Sequence, residues 1–523
     1  MKHRFLLIGI LNLFVVSLIA QASDSISTNT TLVRLEHADI LYFDKDINAD
    51  AQILSGNVKF RHDDSYMYCD SAYYFETTNS LEAFSNVRME QGDTLFVYGD
   101  YLLYDGNIEL ARLRNNVRMV NNQVTLYTDS LNYSRSNNIG YYFGGGRIVD
   151  EENELSSVYG QYSLDVKMAF FKDSVELNNP QFVLSTDTLN YNVESKVATI
   201  LGPSVIVSES GTIYTSKGWY DTVNDKSLLL DRSSIVSENR TLSGDSILYD
   251  KFVGIGEAFG NISVKDTAQK VILEGQYGYY DEKIDYAFVT DSARFIEYSN
   301  IDTLFLHADT LEMCVIDTSY REIKAYRGVR FFRTDLQGVC DSISFNTRDS
   351  VLYMYTDPIL WNERYQIFGD TILVYLNDST IDFVHVKEYA FAIQHIDSTY
   401  YNQLKGTDLK AYFEGRQVKR IEVSGNAESI FYPQENDGAK IGLNDSKSSF
   451  LTILLKDGKF DRLNIGTNAI ANLTPLPDLK PEQKTLKDFV WYDYLRPLDK
   501  DDIFRVRKKE TQTKPRRSNK FVH

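Results

Sequence analysis

The chain of 523 residues is long enough for several ordinary domains or one extended repeat array, and 43% hydrophobic residues allow a substantial core. Its formal charge is −18; without the two basic residues of the leader and the net +7 of the last nineteen residues, the body from 23 to 504 stands at −27. Such a body repels nucleic acid and anionic surfaces over a Debye length, which excludes nucleic-acid binding by it.

Residues 1–22 read as a secretory leader. Lys2 and Arg4 precede an apolar run from Phe5 to Ile19, and Ala20-Gln21-Ala22 is a small-x-small cleavage site. The run is short for a membrane span, and no Cys follows it for lipid attachment. Residues 23–32 form a short linker. The three cysteines, Cys69, Cys314 and Cys340, are too few and too scattered for a disulfide framework, so they read as small buried hydrophobes.

From residue 33 to 472 the chain repeats itself about every thirty residues. One pattern is Gly/Ser-Asn-Val followed by x-apolar: Gly56-Asn57-Val58-Lys59-Phe60, Ser85-Asn86-Val87-Arg88-Met89, Asn115-Asn116-Val117-Arg118-Met119, Gly260-Asn261-Ile262 and Arg327-Gly328-Val329-Arg330-Phe331. Weaker copies centre on Ile148, Val175, Val205, Ile235, Ala293, Ile359, Ala390 and Ala427, thirteen in all. The second pattern is Asp-Ser/Thr-apolar-x-Tyr-Asp/Asn. It appears at Asp129 to Tyr133, Asp187 to Asn192, Asp245 to Asp250 and Asp341 to Asn346, with looser copies from Asp39, Asp70, Asp100, Asp309, Asp370 and Asp408 and a weaker one at Gln276 to Asp281. Both alternate with period two, are rich in Val, Ile, Tyr, Phe and Thr, and are separated by polar turn clusters. Each repeat therefore predicts two strands. The Gly or Asn before the Val marks a bend, because these residues tolerate positive φ. The expected fold is all-β: an elongated, twisted, folded-over antiparallel sheet of about thirteen repeats, long enough for two or three modules. The recurrent Asp before Ser/Thr is expected to bond nearby backbone in Asx fashion.

After residue 472 the pattern stops. Residues 473–504 are rich in Pro and aromatics, and Phe489 to Leu495 suits docking on the array's end or on a partner. Residues 505–523 form a basic tail expected to be disordered.

The tandem Gly-Asn-Val and Asp-Ser/Thr-Leu-x-Tyr-Asp units resemble the OstA/LptA family of lipopolysaccharide-transport proteins. The resemblance runs to about residue 472 and implies a V-shaped, twisted β-jellyroll in the periplasm. It further implies binding of lipopolysaccharide or a related acyl glycolipid through its acyl chains, and partnership with other jellyroll proteins of the transport bridge and the outer-membrane translocon. End-to-end self-association is implied as well. This array is two to three times longer than a single bridge module and is not followed by the translocon's β-barrel, so the expected role is to carry or bridge lipid.

The inward positions of the two patterns are the candidate lipid-binding residues: Val58, Phe60, Leu131, Tyr133, Leu189, Tyr191, Ile247, Tyr249, Val329, Phe331, Ile343 and Phe345. Arg88, Arg118 and Arg330 follow the Val on the opposite side and read as solvated strand charges or head-group contacts. His37, His62, His307, His385 and His395 lack metal-ligand spacing, and neither a phosphate-binding Gly loop nor a nucleophile elbow occurs. No catalytic residue, metal or cofactor is expected. Two rival readings are a surface β-solenoid, structural or adhesive, with a closed core, and a glycan-active β-helix enzyme. The enzyme needs a localised carboxylate or His cluster, which the repeats do not supply.

Overall fold

A computed structural model describes residues 31–298, 302–317, 320–377, 380–415, 417–435, 438–456 and 459–507; the leader and the tail beyond 507 lie outside them. Thirty-six strands and five single-turn 3₁₀ helices make up the regular structure of the described residues. Strand pairs are antiparallel throughout, as in Gln52–His62 with Ser65–Phe75 and Tyr286–Glu297 with Leu304–Asp317. The chain divides into two compact units. One comprises residues up to 122 with 129–138, the other 123–128 with everything from 139 onward.

The predicted bends are present. Gly56 and Asn57, Ser85 and Asn86, Asn115 and Asn116, Gly260 and Asn261, and Arg327 and Gly328 all have positive φ, between 45° and 78°. Each pair breaks the ladder register, as between Ser55 and Val58 or between Phe84 and Val87. In the degenerate copy around Ile235 the bend falls earlier, at Asp231-Arg232. The Val-equivalent position there is Ser233, which kept its place in the fold but lost the apolar residue that marks it.

The recurrent Asp does something other than cap its own backbone. Asp39, Asp70, Asp100 and Asp245 accept hydrogen bonds from the side-chain amides of Asn57, Asn86, Asn116 and Asn261, at 2.5–2.8 Å. In these four copies the two sequence patterns are the two halves of one bracket, which holds the left-handed bend of one strand against its neighbour. Gly56 and Gly260 are required there twice over. Their φ is positive, and a Cβ would sit 2.4 Å and 2.5 Å from the bracketing carboxylates of Asp39 and Asp245.

The bends fold each sheet onto itself. Residues Gln52–Ser55 pair with Ser71–Tyr74 in one layer, and Val58–His62 pair with Ser65–Cys69 in the other. The same division continues through both units, so each unit has two layers joined along a line of bends, with a mouth at the opposite edge. Alternate side chains from both layers fill the space between. Leu81, Ala83, Val87 and Met89 do so from one strand of the first unit, and Val289, Ala293, Ala308 and Leu311 from two strands of the second; all are buried.

Residues 476–507 run back across the outer face of the second layer of unit two, and do not cap the array's end. Three buried glutamines hold them. Gln403 donates to the Lys484 carbonyl and accepts from the Leu486 amide, both at 2.8 Å. Gln366 donates to Val490 at 2.8 Å and accepts from Tyr492 at 2.7 Å. Gln337 accepts from Arg496 Nε at 2.8 Å. Leu486 and Leu495 then pack on Phe391, Ile393, Tyr432, Ile359 and Trp361, which point away from the interior and would otherwise face water.

Candidate functional site

The space between the layers has two characters along the chain. In the first unit the inward side chains are buried from bend to mouth, with Phe60, Leu131 and Tyr133 fully enclosed; in the second unit the same holds as far as the strand Ser204–Ser208, with Phe171, Leu184, Leu189 and Tyr191 fully enclosed. Polar contacts run from layer to layer across this mouth. Tyr104 donates to His62 Nδ1 at 2.6 Å, and Arg135 donates to Tyr104 at 2.9 Å and to Asp64 at 3.0 Å. Tyr133 donates to Gln91 at 2.8 Å. In the second unit Tyr191 donates to Asp150 at 2.9 Å while accepting from Asn153. Burial pushes the Tyr104 hydroxyl up to about 12 against the opposing pull of Arg135. The Tyr191 hydroxyl also rises, through burial and then the Asp150 charge. These tyrosines are therefore neutral donors at physiological pH. The mouth is zipped, and the interior behind it is filled.

Beyond it the zipper ends. Its last cross-mouth contacts are the rings of Phe182 and Tyr220, 4.8 Å apart, and a 3.5 Å approach of Lys251 to Gln181. Tyr220 and Tyr249 turn their hydroxyls to Asp225 and Glu282, turn residues of their own layer. From Lys226–Ser237 to Leu304–Asp317 the apolar inward residues that stay buried, among the described residues, lie beside the bend: Leu229, Ile247, Ala258, Ile262, Val289, Ala293, Ala308 and Leu311. The layers meet closely along this line, where a Cβ on Gly275 would lie 2.2 Å from Val289. Further out, Ile235, Leu242, Val264, Leu273, Phe295 and Leu306 point inward but are only partly covered. Tyr280 and Ile323, on the facing layer, keep 38% and 36% of their surface exposed. The result is an apolar furrow with a packed floor and partly covered walls. Its rim charges are paired, as in Arg240 with Asp266 at 3.0 Å and Lys226 with Asp250 at 2.8 Å.

The sequence-predicted residues divide accordingly. Val58, Phe60, Leu131, Tyr133, Leu189 and Tyr191 lie in the zipped stretch, packed on other side chains. Ile247 forms the furrow floor, and Tyr249 stands half-exposed at its mouth. Val329, Phe331 and Ile343 are buried where the layers close again, with Phe345 half-buried beside them. Sequence reasoning missed Leu242, Val264, Leu273 and Phe295 because they belong to the less regular half of each repeat. One signal was readable. At the mouth of the zipped stretch the second layer places His62, Gln91, Asn121 and Asp150; in the furrow the equivalent strands end in Ser237, Arg240 and Asp266, already engaged or too short to cross.

Of the three arginines after the Val, Arg88 lies over the Tyr68 ring at 4.4 Å and bonds Glu90, and Arg118 lies over Tyr98 at 4.5 Å. Both are ordinary sheet-surface cations. Arg330 is different, with only 7% of its surface exposed. The cysteines are free, Cys69 and Cys340 buried and Cys314 half-buried. Among the described residues no group of three His, Cys, Asp or Glu is placed to hold a metal.

Residues 30–187 match the family model described as OstA-like protein, so the chain is OstA-like over that segment. Among solved structures, the crystal structure of LptH, the LptA-homologous periplasmic component of the conserved lipopolysaccharide transport device from Pseudomonas aeruginosa, is 12% identical. The likeness covers 22% of this chain and 82% of that one, with a TM-score of 0.20. No curated protein matches the chain in sequence.

Proposed function

We propose that this protein is a non-catalytic periplasmic carrier or bridge for lipopolysaccharide or a related acyl glycolipid, and that the acyl chains lie in the furrow between the layers. The observation that carries the reading is the change, within the second unit, from a zipped, filled interior up to the strand Ser204–Ser208 to a more open one beyond it. A partly covered wall of Leu242, Val264, Leu273 and Phe295 stands on the layer opposite Tyr249, Tyr280 and Ile323. Apolar side chains gathered on facing layers and left partly open to solvent suit an apolar ligand. Each acyl methylene buried there contributes about 0.8 kcal/mol, so burial of the tails can outweigh repulsion between a lipid phosphate and the acidic body. Among the described residues the edge strands Arg34–His37 and Ile40–Tyr42 pair only with Gln52–His62. Ile40, Leu41 and Phe43 are more than half exposed. An edge of this kind supports strand addition by a like-folded partner or a second copy.

The test is native mass spectrometry, with lipid extraction, of mature protein purified from its own envelope without detergent. Co-purified acyl glycolipid that is lost in a folded Leu242→Asp/Leu273→Asp variant supports the furrow. A lipid-free mass in every preparation moves the assignment to a closed-core structural solenoid.

A further inference from the structure

Arg330 breaks a rule of protein interiors. It is more than nine-tenths buried, and its Nε and Nη2 have no hydrogen-bond partner. An uncompensated buried cation costs several kcal/mol, so such groups are normally paired or hold a ligand. It lies on the outer face of the second layer, opposite His307 in register, under the end of the 476–507 segment. Together with His307, Gly328, Asp357, Phe504 and Arg507 it lines a hollow of about 220 Å³.

We propose that this hollow is an anion site for a phosphate monoester, with Arg330 as its principal ligand and the C-terminal segment closing over it. The planar guanidinium fork suits two phosphate oxygens. Arg507 brings a second cation, and Arg505 is near enough that its charge, after desolvation, helps lower the Arg330 pKa. Two acids stand beside these cations: Asp502, itself paired with Arg505, and Asp357 in the lining. An anion between the cations would offset their mutual repulsion. His307 supplies a complementary group. Its Nδ1 lies 2.8 Å from the Ala293 carbonyl, so Nδ1 carries the proton, and burial lowers the ring's pKa. Nε2 is then an acceptor, and the Asp357 carboxylate is another acceptor in the lining. Both suit the hydroxyl of a singly protonated phosphate, whereas a fully deprotonated sulfate has no hydrogen to offer them. The site stands on the outer face and does not depend on the furrow reading.

The phosphate could belong to a lipid head group or to a small soluble molecule, and two arms separate these sources. In the first, the full mature chain is melted in inorganic phosphate and in chloride or sulfate at matched ionic strength. In the second, it is floated with vesicles containing phosphatidic acid and with vesicles of phosphatidylcholine alone. A phosphate-specific rise in melting temperature without flotation assigns a soluble phosphate; flotation with phosphatidic acid alone assigns a lipid phosphate. Arg330→Met should abolish either response while melting no lower than the parent in chloride, because it removes an unpaired buried charge. If that variant does not fold, Arg330→Lys keeps the charge, loses the fork and should weaken the response about tenfold, a loss near 1.4 kcal/mol. The proposal is overturned if neither arm responds, or if the folded variant responds as the parent does.

Discussion

Replacing Leu242 and Leu273 together by Gln should separate lipid binding from stability. Both side chains are partly covered and sit on the wall of the furrow. Full burial of a Leu side chain is worth about 1.5–3 kcal/mol, and each keeps no more than about a third of its surface uncovered, so acyl contact adds about 0.5–1 kcal/mol of affinity at each position. Burying an amide against the acyl chain adds a comparable penalty. The pair should therefore lose about 3 kcal/mol, roughly a hundredfold in affinity, while stability falls by no more than about 1 kcal/mol per site. Leu184→Gln is the control. Leu184 is fully enclosed in the zipped stretch, so the change should cost about 3 kcal/mol or more in stability and leave the acyl affinity of the folded fraction unchanged. Titration with a fluorescent acyl probe and urea unfolding measure the two quantities. The reasoning is refuted if folded Leu184→Gln loses affinity as the pair does, or if the pair binds like the parent.

Three further predictions follow from the same geometry. The zipper should be alkali-labile. Tyr104 has its folded pKa raised to about 12, above the unfolded value of about 10, so its contribution is complete below pH 10 and is lost as pH rises through 12; Tyr104→Phe should flatten the alkaline limb of a stability–pH profile. Cys314 should alkylate before the other cysteines in the native protein, because Cys69 is buried with its thiol pushed up to about 12 and burial also raises Cys340; peptide mass mapping after timed alkylation shows the order, and early modification of Cys69 would contradict it. Gln366→Ala should strip the Val490 carbonyl and Tyr492 amide of their partner, at about 1–3 kcal/mol each, and open residues 476–507 to limited proteolysis while the array stays protected; unchanged protection would show that the apolar contacts suffice.

What the sequence revealed and what it concealed follow from the range of the forces involved. The bends at Gly56-Asn57 and Ser85-Asn86 are local conformational demands, so they were legible at once. The role of Asp70 was half legible. Its recurrence was plain, but its partner, Asn86, lies on the next strand, and only pairing shows that the two motifs form one bracket. Arg330 could not be told from Arg88 and Arg118, since all three follow the same Val. What sets it apart is a segment more than 160 residues later that folds back and covers it. The furrow was invisible for a similar reason. Leu184 and Leu273 occupy alternating positions of the same kind, and whether a facing layer reaches them depends on how the two layers diverge along the array. Gln337, Gln366 and Gln403 read as ordinary polar strand residues until the chain end supplied their partners.

The most direct test of an acyl-binding furrow is to load the mature protein with a glycolipid carrying a photoreactive acyl tail, irradiate, and map the cross-linked peptides. Adducts should fall on the strands carrying Leu242, Val264, Leu273 and Phe295. Adducts concentrated between residues 52 and 206, or a protein that takes up no tail at all, would contradict it.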